Sequence, residues 1–488
     1  MNYQVSQHID NNKVFIVQRS EIEGRLEPEF YRPSIADLEK FIRGKSSHKL
    51  RDYALSVSGG ATPKKTEGDK YYADKETGVP FLRVQNLNTD GTLSFDDCLY
   101  INKETHEGML ARSQVSQGDL LVKITGVGRM AIASVAPEGF VGNTNQHMVV
   151  VKTGNKEISK YLARYLNLDI IEKIASRHST GGTRPALDYP SVKNLPIIEG
   201  IDFSPIDRAI ELKKQKRSEA KQLLDSIAPY LLNELGIILP DENYGLEKRI
   251  FYISSSECVD KRIDPKKYSP KTKDLYLAIE NSLYPKYSLV SFIVDSCTGD
   301  WGSDGEVDIV PSGWTKCVVL RSTEIDNMYN LSICQEKVKK RLIQTDKFKK
   351  IQPLLNDIII EKSGGSDDQP VGRVAIVDLE NFNNIPLSFS NFLMKIRVKG
   401  IDANYLYYYL KTIYNIGGTD SMQSQTNGIR NLIIKEYLEQ KVVVPSLEKQ
   451  QEISNHIAEM RLMAKRLQEE GESILENAKK EVEQMILG

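Results

Sequence analysis

The sequence predicts an α+β fold: two mixed α/β domains joined by two long antiparallel helices that form a coiled coil with a pseudo-two-fold axis. Two observations carry this prediction. The 488-residue chain repeats itself about once per half of its length. Each copy of the repeat ends in a long segment whose apolar residues follow heptad spacing, which is typical of paired helices.

The first long segment runs from Phe203 to Gly236. Ser204 can accept hydrogen bonds from free backbone amides, and Pro205 suits the first helical position. Glycine at the far end favours termination, and Pro229 is expected to kink the last turns. Apolar residues recur at steps of four and three, at Ala220, Leu224, Ile227 and Leu231.

The second long segment, Ser446 to Leu487, keeps the same spacing. Its apolar positions are Ile453, Ile457, Met460, Ala464, Leu467, Ile474, Ala478 and Met485. A lone helix would leave such a stripe in water, so we expect the two segments to pair. Because the first leads the chain away from one domain and the second leads it back, the pair should be antiparallel. Two unrelated surface helices remain the alternative.

The repeat defines the domain boundaries. The matching segments are RLEPEFYRP (25–33) with RIDPKKYSP (262–270), GDLLVKITG (118–126) with NDIIIEKSG (356–364), and GGTR (181–184) with NGIR (427–430). Each copy of the repeat therefore consists of the short RLEPEFYRP or RIDPKKYSP motif, a mixed α/β domain and a long helix, in that order. The predicted divisions are a domain at 1–202, a helix at 203–240, a domain at 241–445 and a helix at 446–488.

Composition sets few limits. Lys and Arg total 65 against 66 Asp and Glu, so net charge neither supports nor excludes nucleic acid. Two basic clusters, Lys337–Lys350 and Lys261–Lys273, fit a nucleic-acid surface or a solvated face equally well. The five cysteines show no ligand spacing, which indicates reduced thiols rather than disulfides or zinc. The chain shows neither an apolar leader nor a span-length apolar run, so we expect a cytoplasmic protein without membrane contact.

The predicted geometry suits a partner with a regular repeat. Duplex DNA repeats every ~34 Å, and a helix pair roughly 50 Å long would place two domains about one turn or slightly more apart. The loops differ between the copies, with SGGATP at 58–63 against SCTGDWG at 296–302. A shared scaffold with different loops predicts two different half-sites.

On these segments and both long helices, nearly the whole chain resembles the specificity subunit of type I restriction-modification systems, in which two target-recognition domains alternate with two helical regions. The resemblance implies that each domain reads one half of a bipartite DNA target, while the helices set the spacing and dock the methyltransferase. The implied partners are double-stranded DNA, methyltransferase subunits, two in number, and an ATP-dependent restriction subunit. S-adenosylmethionine, ATP and Mg would belong to those partners.

No chemistry of its own is predicted for the chain. The sequence has no GxxxxGK[ST] phosphate loop, no Asn-Pro-Pro-aromatic motif and no HExxH. We therefore expect no catalytic, cofactor-binding or metal-binding residues. Two alternatives stay open: the specificity subunit of a related system whose partner fuses nuclease and methyltransferase, and a non-catalytic coiled-coil scaffold.

Candidate DNA contacts are polar residues in or beside the predicted loops, since Arg suits guanine and Asn or Gln suits adenine. In the first domain they are Arg83, Gln85, Asn86, Asn88, Lys123, Arg129, Asn143, Asn145, Gln146, Thr180, Thr183 and Arg184. In the second they are Trp301, Ser303, Arg321, Ser363, Asp367, Gln369, Asn391, Gln425, Asn427 and Arg430. Arg184 and Arg430 occupy matching positions and are the leading candidates for equivalent roles, with a structural salt bridge as the alternative. Turn or cap chemistry is the competing explanation for the others.

Overall fold

The structure, a computed structural model, describes residues 10–46, 48–240, 250–258, 262–307, 309–325, 331, 338–365, 369–378, 386–426 and 429–488. It divides into two compact units. Unit 1 comprises Met1–Arg217 with Gln468–Gly488, and unit 2 comprises Ser218–Leu467. Both are mixed α/β structures, so the expected fold class is confirmed at that level.

The elements of unit 1 follow the chain in order. Its helices are α1 (Pro33–Lys45), α2 (Gly68–Tyr71), α3 (Lys103–Glu107), α4 (Lys156–Leu166), α5 (Asp169–His178), α6 (Tyr189–Lys193) and the first part of α7 (Ser204–Asp225). Its strands are β1 (His48–Lys49), β2 (Ser56–Gly59), β3 (Val79–Leu82), β4 (Leu99–Ile101), β5 (Gln114–Ser116), β6 (Leu120–Lys123), β7 (Ala133–Val135), β8 (Val141–Thr144), β9 (Met148–Lys152) and β10 (Pro196–Ile197).

Unit 2 continues the numbering. Its helices are α8 (Ile227–Leu235), α9 (Ser255–Cys258), α10 (Pro265–Tyr268), α11 (Pro270–Glu280), α12 (Thr345–Ile351), α13 (Ala403–Asn415), α14 (Ile434–Glu439) and the first part of α15 (Leu447–Leu487). Its strands are β11 (Lys286–Ser288), β12 (Ile293–Thr298), β13 (Ser303–Asp304), β14 (Trp314–Leu320), β15 (Lys339–Gln344), β16 (Ile358–Glu361), β17 (Ser363–Gly365), β18 (Val374–Ile376), β19 (Leu387–Phe389), β20 (Leu393–Val398), β21 (Gln423–Thr426), β22 (Ile429–Leu432) and β23 (Lys441–Val443).

The two units have corresponding sheets. An antiparallel sheet runs β2-β9-β6-β7 in unit 1 and β12-β20-β16-β18 in unit 2. Next to it, each unit has a second sheet with one parallel pair, β3 with β8 and β14 with β19. A short ladder joins β1 to β10 and β11 to β23. The repeat in sequence is therefore a repeat in the topology of the first sheet, while the second sheets differ at their edges, where β5 pairs with β8 in unit 1 and β13 pairs with β15 in unit 2.

The central sheet of each unit is buried on both faces. In unit 1, Leu120 and Val122 of β6 share a core with helices α4 and α5, while Leu121 between them packs with the second sheet. In unit 2, Ile358 and Ile360 of β16 pack with α13, and Ile359 faces the second sheet. Successive side chains of a strand point to opposite faces, which explains the unbroken apolar runs in these strands.

The long helical segments pack within each unit. In unit 1, Ile206 of α7 shares a core with Leu475 and Val482 of α15. In unit 2, Leu224 and Ile227 share a core with Ile457. Ion pairs also join these segments, among them Lys213–Glu472 (2.8 Å) and Lys216–Glu470 (2.7 Å) in unit 1, and Lys449–Glu234 (2.7 Å) in unit 2.

The stop signals of the first segment behave as predicted, but its start does not: Ser204 lies within α7, and its amide donates to the Asp202 carboxylate (2.9 Å), which takes the capping role expected of Ser204. Helix α7 ends at Asp225 and α8 begins at Ile227, because Pro229 has no amide hydrogen for the carbonyl of Asp225. Gly236 ends α8 with a left-handed φ of 65°. A Cβ on Gly471 of α15 would lie 3.3 Å from Cα of Lys213 of α7, so the two helices approach closely at this glycine.

A buried ionic cluster joins helices α1 and α5 of unit 1. The Glu39 carboxylate is 3% exposed and pairs with Arg43 (2.7 Å), His178 (2.8 Å) and Arg177. Burial alone would raise the pKa of Glu39, but the hydrogen bonds from His178, Arg177 and Arg43 outweigh it and lower the pKa to about 2. The carboxylate therefore stays charged and fixes the end of α5.

Replacing Glu39 by Gln should destabilise the protein by about 3 kcal/mol near neutral pH, because it removes one partner of a buried ionic cluster. A group whose pKa is lowered by folding stabilises above its ordinary pKa, here 4.5, and that contribution is lost as the pH falls toward about 2. The difference between wild type and variant in thermal unfolding should therefore shrink below pH 4.5. Glu29→Gln, at an exposed ion pair with Arg32, is the control and should change little. A gap that is constant with pH would contradict this account.

Candidate nucleic-acid interface

Three loops of unit 1 are joined by backbone hydrogen bonds where strands of both sheets end, and a side-chain hydrogen bond from Thr62 to Gln146 adds a fourth loop. The Ile124 amide donates to the His147 carbonyl (2.9 Å), and the Leu187 amide donates to the Ile124 carbonyl (2.7 Å). Thr180 and Ala186 exchange two such bonds (2.8 and 2.7 Å), which close the loop between them. Residues 60–63, 124–128, 144–147 and 180–187 therefore form one surface, which we call the unit 1 loop surface.

Two glycines allow this convergence. A Cβ on Gly60 would lie 1.8 Å from the carbonyl oxygen of Thr144, and one on Gly59 would lie 1.8 Å from the Tyr189 hydroxyl. In unit 2, a Cβ on Gly299 would lie 2.0 Å from the carbonyl oxygen of Phe389. Gly60 and Gly299 are thus required by close backbone approach, whereas Gly59 makes room for the Tyr189 side chain.

Several predicted contacts lie on the unit 1 loop surface. Gln146, Thr180, Thr183 and Arg184 are exposed there, and Gln146 contacts the Thr62 hydroxyl. Sequence reasoning missed His147, whose pKa is lowered by burial and then by the charge of Arg184. Alternating acceptors, donors and one arginine form a polar surface able to hydrogen-bond base edges or phosphates.

Gln85 lies beside this surface. It is exposed in the turn that follows β3. The Asn145 amide donates to the Leu82 carbonyl (3.1 Å), which joins the end of β3 to the segment carrying Gln146.

Three predicted asparagines of unit 1 instead have internal roles. Asn86 is 1% exposed, accepts from the Arg83 amide (2.7 Å) and donates to the Ser94 carbonyl (2.9 Å). Asn143 is buried, donates to the Leu110 carbonyl (2.8 Å) and contacts His106. Asn145 is buried and accepts from the His147 amide (3.1 Å). These buried side chains hold the backbone of the loops through hydrogen bonds.

Further predicted residues of unit 1 are held by the protein itself. Arg83 donates to the Asp97 carbonyl, and Asn88 donates to Thr92 (3.1 Å). Lys123 is 3% exposed and donates to the Val127 carbonyl (2.8 Å), while burial lowers its pKa. Arg129 pairs with Asp169 and donates to the Asn167 carbonyl (2.6 Å). Lys123 therefore supports the 124–128 loop by holding its tip.

In unit 2, a small antiparallel sheet brings several predicted residues together. It has the order β17-β22-β21, with Gln425 opposite Arg430 and Ser363 opposite Asn431. The Phe392 carbonyl accepts from the Ser363 amide (3.2 Å), which places exposed Asn391 beside this sheet. Sequence reasoning missed Phe392, which is 45% exposed. We call the exposed side of strands β17, β22 and β21, together with Asn391 and Phe392, the unit 2 loop surface.

The remaining candidates of unit 2 are distributed differently. Arg341 donates to the Trp301 carbonyl (3.1 Å) and stacks over its ring at 4.8 Å, and Ser303 is exposed in the adjoining β13. Arg321 pairs with Glu324 (2.7 Å) at a turn, and Gln369 is half-buried. Asp367 and Asn427 lie outside the described residues.

The two basic clusters have different environments. Lys339 and Lys340 at the start of β15, and Lys349 and Lys350 on α12, are exposed, and Lys347 pairs with Asp300 beside Trp301. In the other cluster, Arg262 pairs with Asp264 (3.1 Å) and Lys267 pairs with Glu436 (2.8 Å). The β15–α12 region is therefore the stronger candidate for phosphate contact.

The described residues contain neither a metal-binding cluster nor a membrane-spanning helix. No group of three or more His, Cys, Asp or Glu side chains there is placed to hold a metal ion. In the same part of the chain, no helix combines the length and apolar composition of a membrane crossing. Of the cysteines with described side chains, Cys98, Cys297 and Cys317 are unpaired.

Residues 316–469 match the family model described as the type I restriction modification DNA specificity domain. This part of the chain is similar to that family, and the match supports the resemblance drawn from the sequence. No curated protein matches the chain significantly.

Three solved structures with similarity to this chain are described as a type I restriction-modification system, its S subunit or an HsdS subunit. One is described as the structural basis underlying complex assembly and conformational transition of the type I R-M system (14% identity, 90% of this chain and 95% of that chain, TM-score 0.39). Another is the S subunit of a type I restriction-modification system from M. genitalium (12% identity, 89% and 95%, TM-score 0.33). A third is the HsdS subunit from Thermoanaerobacter tengcongensis (12% identity, 90% and 94%, TM-score 0.29).

Gly60→Ala should destabilise unit 1 by several times RT, about 2–3 kcal/mol, because the new methyl group would overlap the backbone of residue 144. Gly44→Ala is the control: its Cβ meets nothing within 4 Å, and alanine favours the helix by about 0.5–1 kcal/mol. Urea unfolding of the two variants should therefore shift in opposite directions. Equal shifts would show that the close approach at Gly60 is unimportant.

Proposed function

We propose that this chain is the non-catalytic, sequence-specific DNA-binding subunit of a type I restriction-modification complex. The single observation that carries the proposal is that two units whose β2-β9-β6-β7 and β12-β20-β16-β18 sheets share one strand order present different polar loops beside those sheets. Arg184 and Gln146 lie on the unit 1 loop surface, and Arg430 and Gln425 lie on the unit 2 loop surface. The family match of residues 316–469 supports the same role.

Each unit would read one half of a bipartite, asymmetric target. The differences between the loop surfaces support unequal half-sites, because direct readout depends on which donors and acceptors are presented. The chain would act in the cytoplasm on double-stranded DNA. Domains at 1–202 and 241–445 would do the reading.

The helices at 203–240 and 446–488 would form an antiparallel coiled coil that sets the distance between half-sites, with a pseudo-two-fold relation between the domains. The order of partners supports this: residues 213 and 216 pair with 472 and 470, and residue 234 pairs with 449. Helix α15 has 41 residues, or roughly 60 Å at ~1.5 Å per residue. That length exceeds one ~34 Å turn of DNA.

The helices would also dock two methyltransferase subunits, and an ATP-dependent restriction subunit would complete the complex. S-adenosylmethionine, ATP and Mg would be bound by those partners. The scarcity of catalytic motifs in the sequence supports a division of labour in which this chain only selects the site.

Mapping of methylated adenines in host DNA tests the proposal. We expect a bipartite motif that disappears when this chain is deleted.

Insertion of one heptad into both helices, after Arg217 and after Leu467, should lengthen the gap in the motif by about 3 base pairs, since seven residues add ~10 Å. A heptad in only one helix is the control and should abolish methylation. A motif that is continuous, or a gap unchanged by the double insertion, would contradict the proposal.

Phosphate contact by the β15–α12 cluster has a separate signature. Alanine at Lys339, Lys340, Lys349 and Lys350 should each reduce the slope of log K against log salt by up to about 0.9, because fewer counterions are released. The base preference should stay the same. Lys399→Ala, beyond the end of β20 opposite to Asn391, is the control for loss of one exposed positive charge. Slopes that match wild type in every variant would exclude this surface.

A further inference from the structure

The nonapeptide at 25–33 that recurs at 262–270 carries no contact predicted above, yet it is the clearest repeat in the chain. On the basis of the proposed function, we infer that its first arginine is a positioning residue for DNA readout. Arg25 and Arg262 would each fix the backbone that leads into the recognition loop of its own unit. Each would therefore control the fidelity of one half-site.

In unit 1, the Arg25 guanidinium binds two successive carbonyls. It donates from Nη2 to the Ser179 carbonyl (2.8 Å) and from Nη1 to the His178 carbonyl (3.4 Å). Residue 179 directly precedes Thr180, whose backbone pairs with Ala186 and closes the loop that carries Arg184. The guanidinium therefore fixes one side of the loop base.

Arg25 is itself held in place by its own motif. Its Nε donates to the Glu27 carboxylate (3.2 Å), its guanidinium lies 4.5 Å from the centre of the Phe30 ring, and the Tyr31 hydroxyl donates to its carbonyl (2.8 Å). Arg177 lies against the same ring at 4.3 Å. Such preorganisation lowers the entropic cost of keeping the loop in one conformation.

In unit 2, Arg262 also binds two backbone carbonyls, which here belong to residues two positions apart. It donates to the carbonyls of Gln423 (3.0 Å) and Ser421, and Asp264 pairs with it at 3.1 Å, as Glu27 does with Arg25. Gln423 begins β21, which pairs with β22 and places Gln425 opposite Arg430. Both copies thus use an arginine, steered by an acid two residues later, to hold the chain entering a loop with a candidate arginine.

The positions that differ between the copies fit the same interpretation. Phe30, which stacks with Arg25 and Arg177, is replaced by Lys267, which pairs with Glu436 (2.8 Å). The shared arginine is the residue that must bridge two carbonyls. Only its planar fork supplies two directed donors, whereas lysine is a single point of charge.

The test uses the full chain within its methylating complex in the host. Arg25→Lys keeps the charge and loses the fork, so methylation at sites with a mismatch in one half-site should rise about tenfold relative to cognate sites, with the other half-site still read normally. Arg262→Lys should relax only the opposite half-site. Arg32→Lys is the control, because Arg32 belongs to the same motif but pairs with exposed Glu29, and it should leave the pattern unchanged.

A merely structural role gives a different result. It would lower methylation at all sites together while both halves of the motif stay intact, and that outcome would overturn the inference, as would relaxation of both halves by one variant. If Arg25→Lys does not accumulate as folded protein, Glu27→Gln, which loosens Arg25 without touching the loop, should relax the same half-site more weakly. No change in fidelity there would also overturn it. A wild-type map without any bipartite motif would contradict the proposed function itself, and this inference with it.

Discussion

The burial of the central sheet on both faces is the constraint on which the rest of each unit depends. Strands β6 and β16 place alternate side chains against helices and against a second sheet, so their middle positions must be apolar or internally satisfied. Because the middle of each strand is covered on both faces, polar side chains can be exposed to solvent only where the strands end. The loop surfaces arise at those ends, and glycines such as Gly60 let neighbouring segments meet there without a steric clash.

This constraint explains which parts of the site could be read from the sequence. The mixed α/β class, the repeated topology and the long helical segments followed from periodicity and self-similarity, which are properties of the chain itself. In the run containing Asn143, Asn145 and Gln146, by contrast, composition does not reveal where β8 ends. Asn143 lies within the strand and is buried, whereas Gln146 lies beyond it and is exposed. That difference depends on three-dimensional partners such as Leu110 and His106, which pattern alone cannot supply.

The same limit applies to charge. Lys123 and Glu361 occupy matching positions in the repeat, and Arg129 matches Arg373. In unit 2, Arg373 forms a bidentate pair with Glu361 (2.8 and 2.9 Å). In unit 1, Lys123 cannot accept such a bond and instead binds the Val127 carbonyl, while Arg129 turns to Asp169. Matching positions of the two copies thus carry opposite charges, a lysine in unit 1 and a glutamate in unit 2, and each is satisfied by a different partner.

The long helices are part of the units rather than additions to them. Asp207 of α7 forms ion pairs with Arg164 (2.8 Å) and Lys160 (3.0 Å) of α4. Lys213 of α7 forms an ion pair with Asp90 (3.4 Å), near a turn of the second sheet. In unit 2, Arg461 of α15 donates to the Tyr408 hydroxyl (3.0 Å). Since each unit holds segments of both helices in its own core, the energetic cost of slipping one helix past the other includes the loss of these buried contacts. A measuring role for the helices therefore requires the two segments to change length together, which is a property of the packing and not of either helix alone.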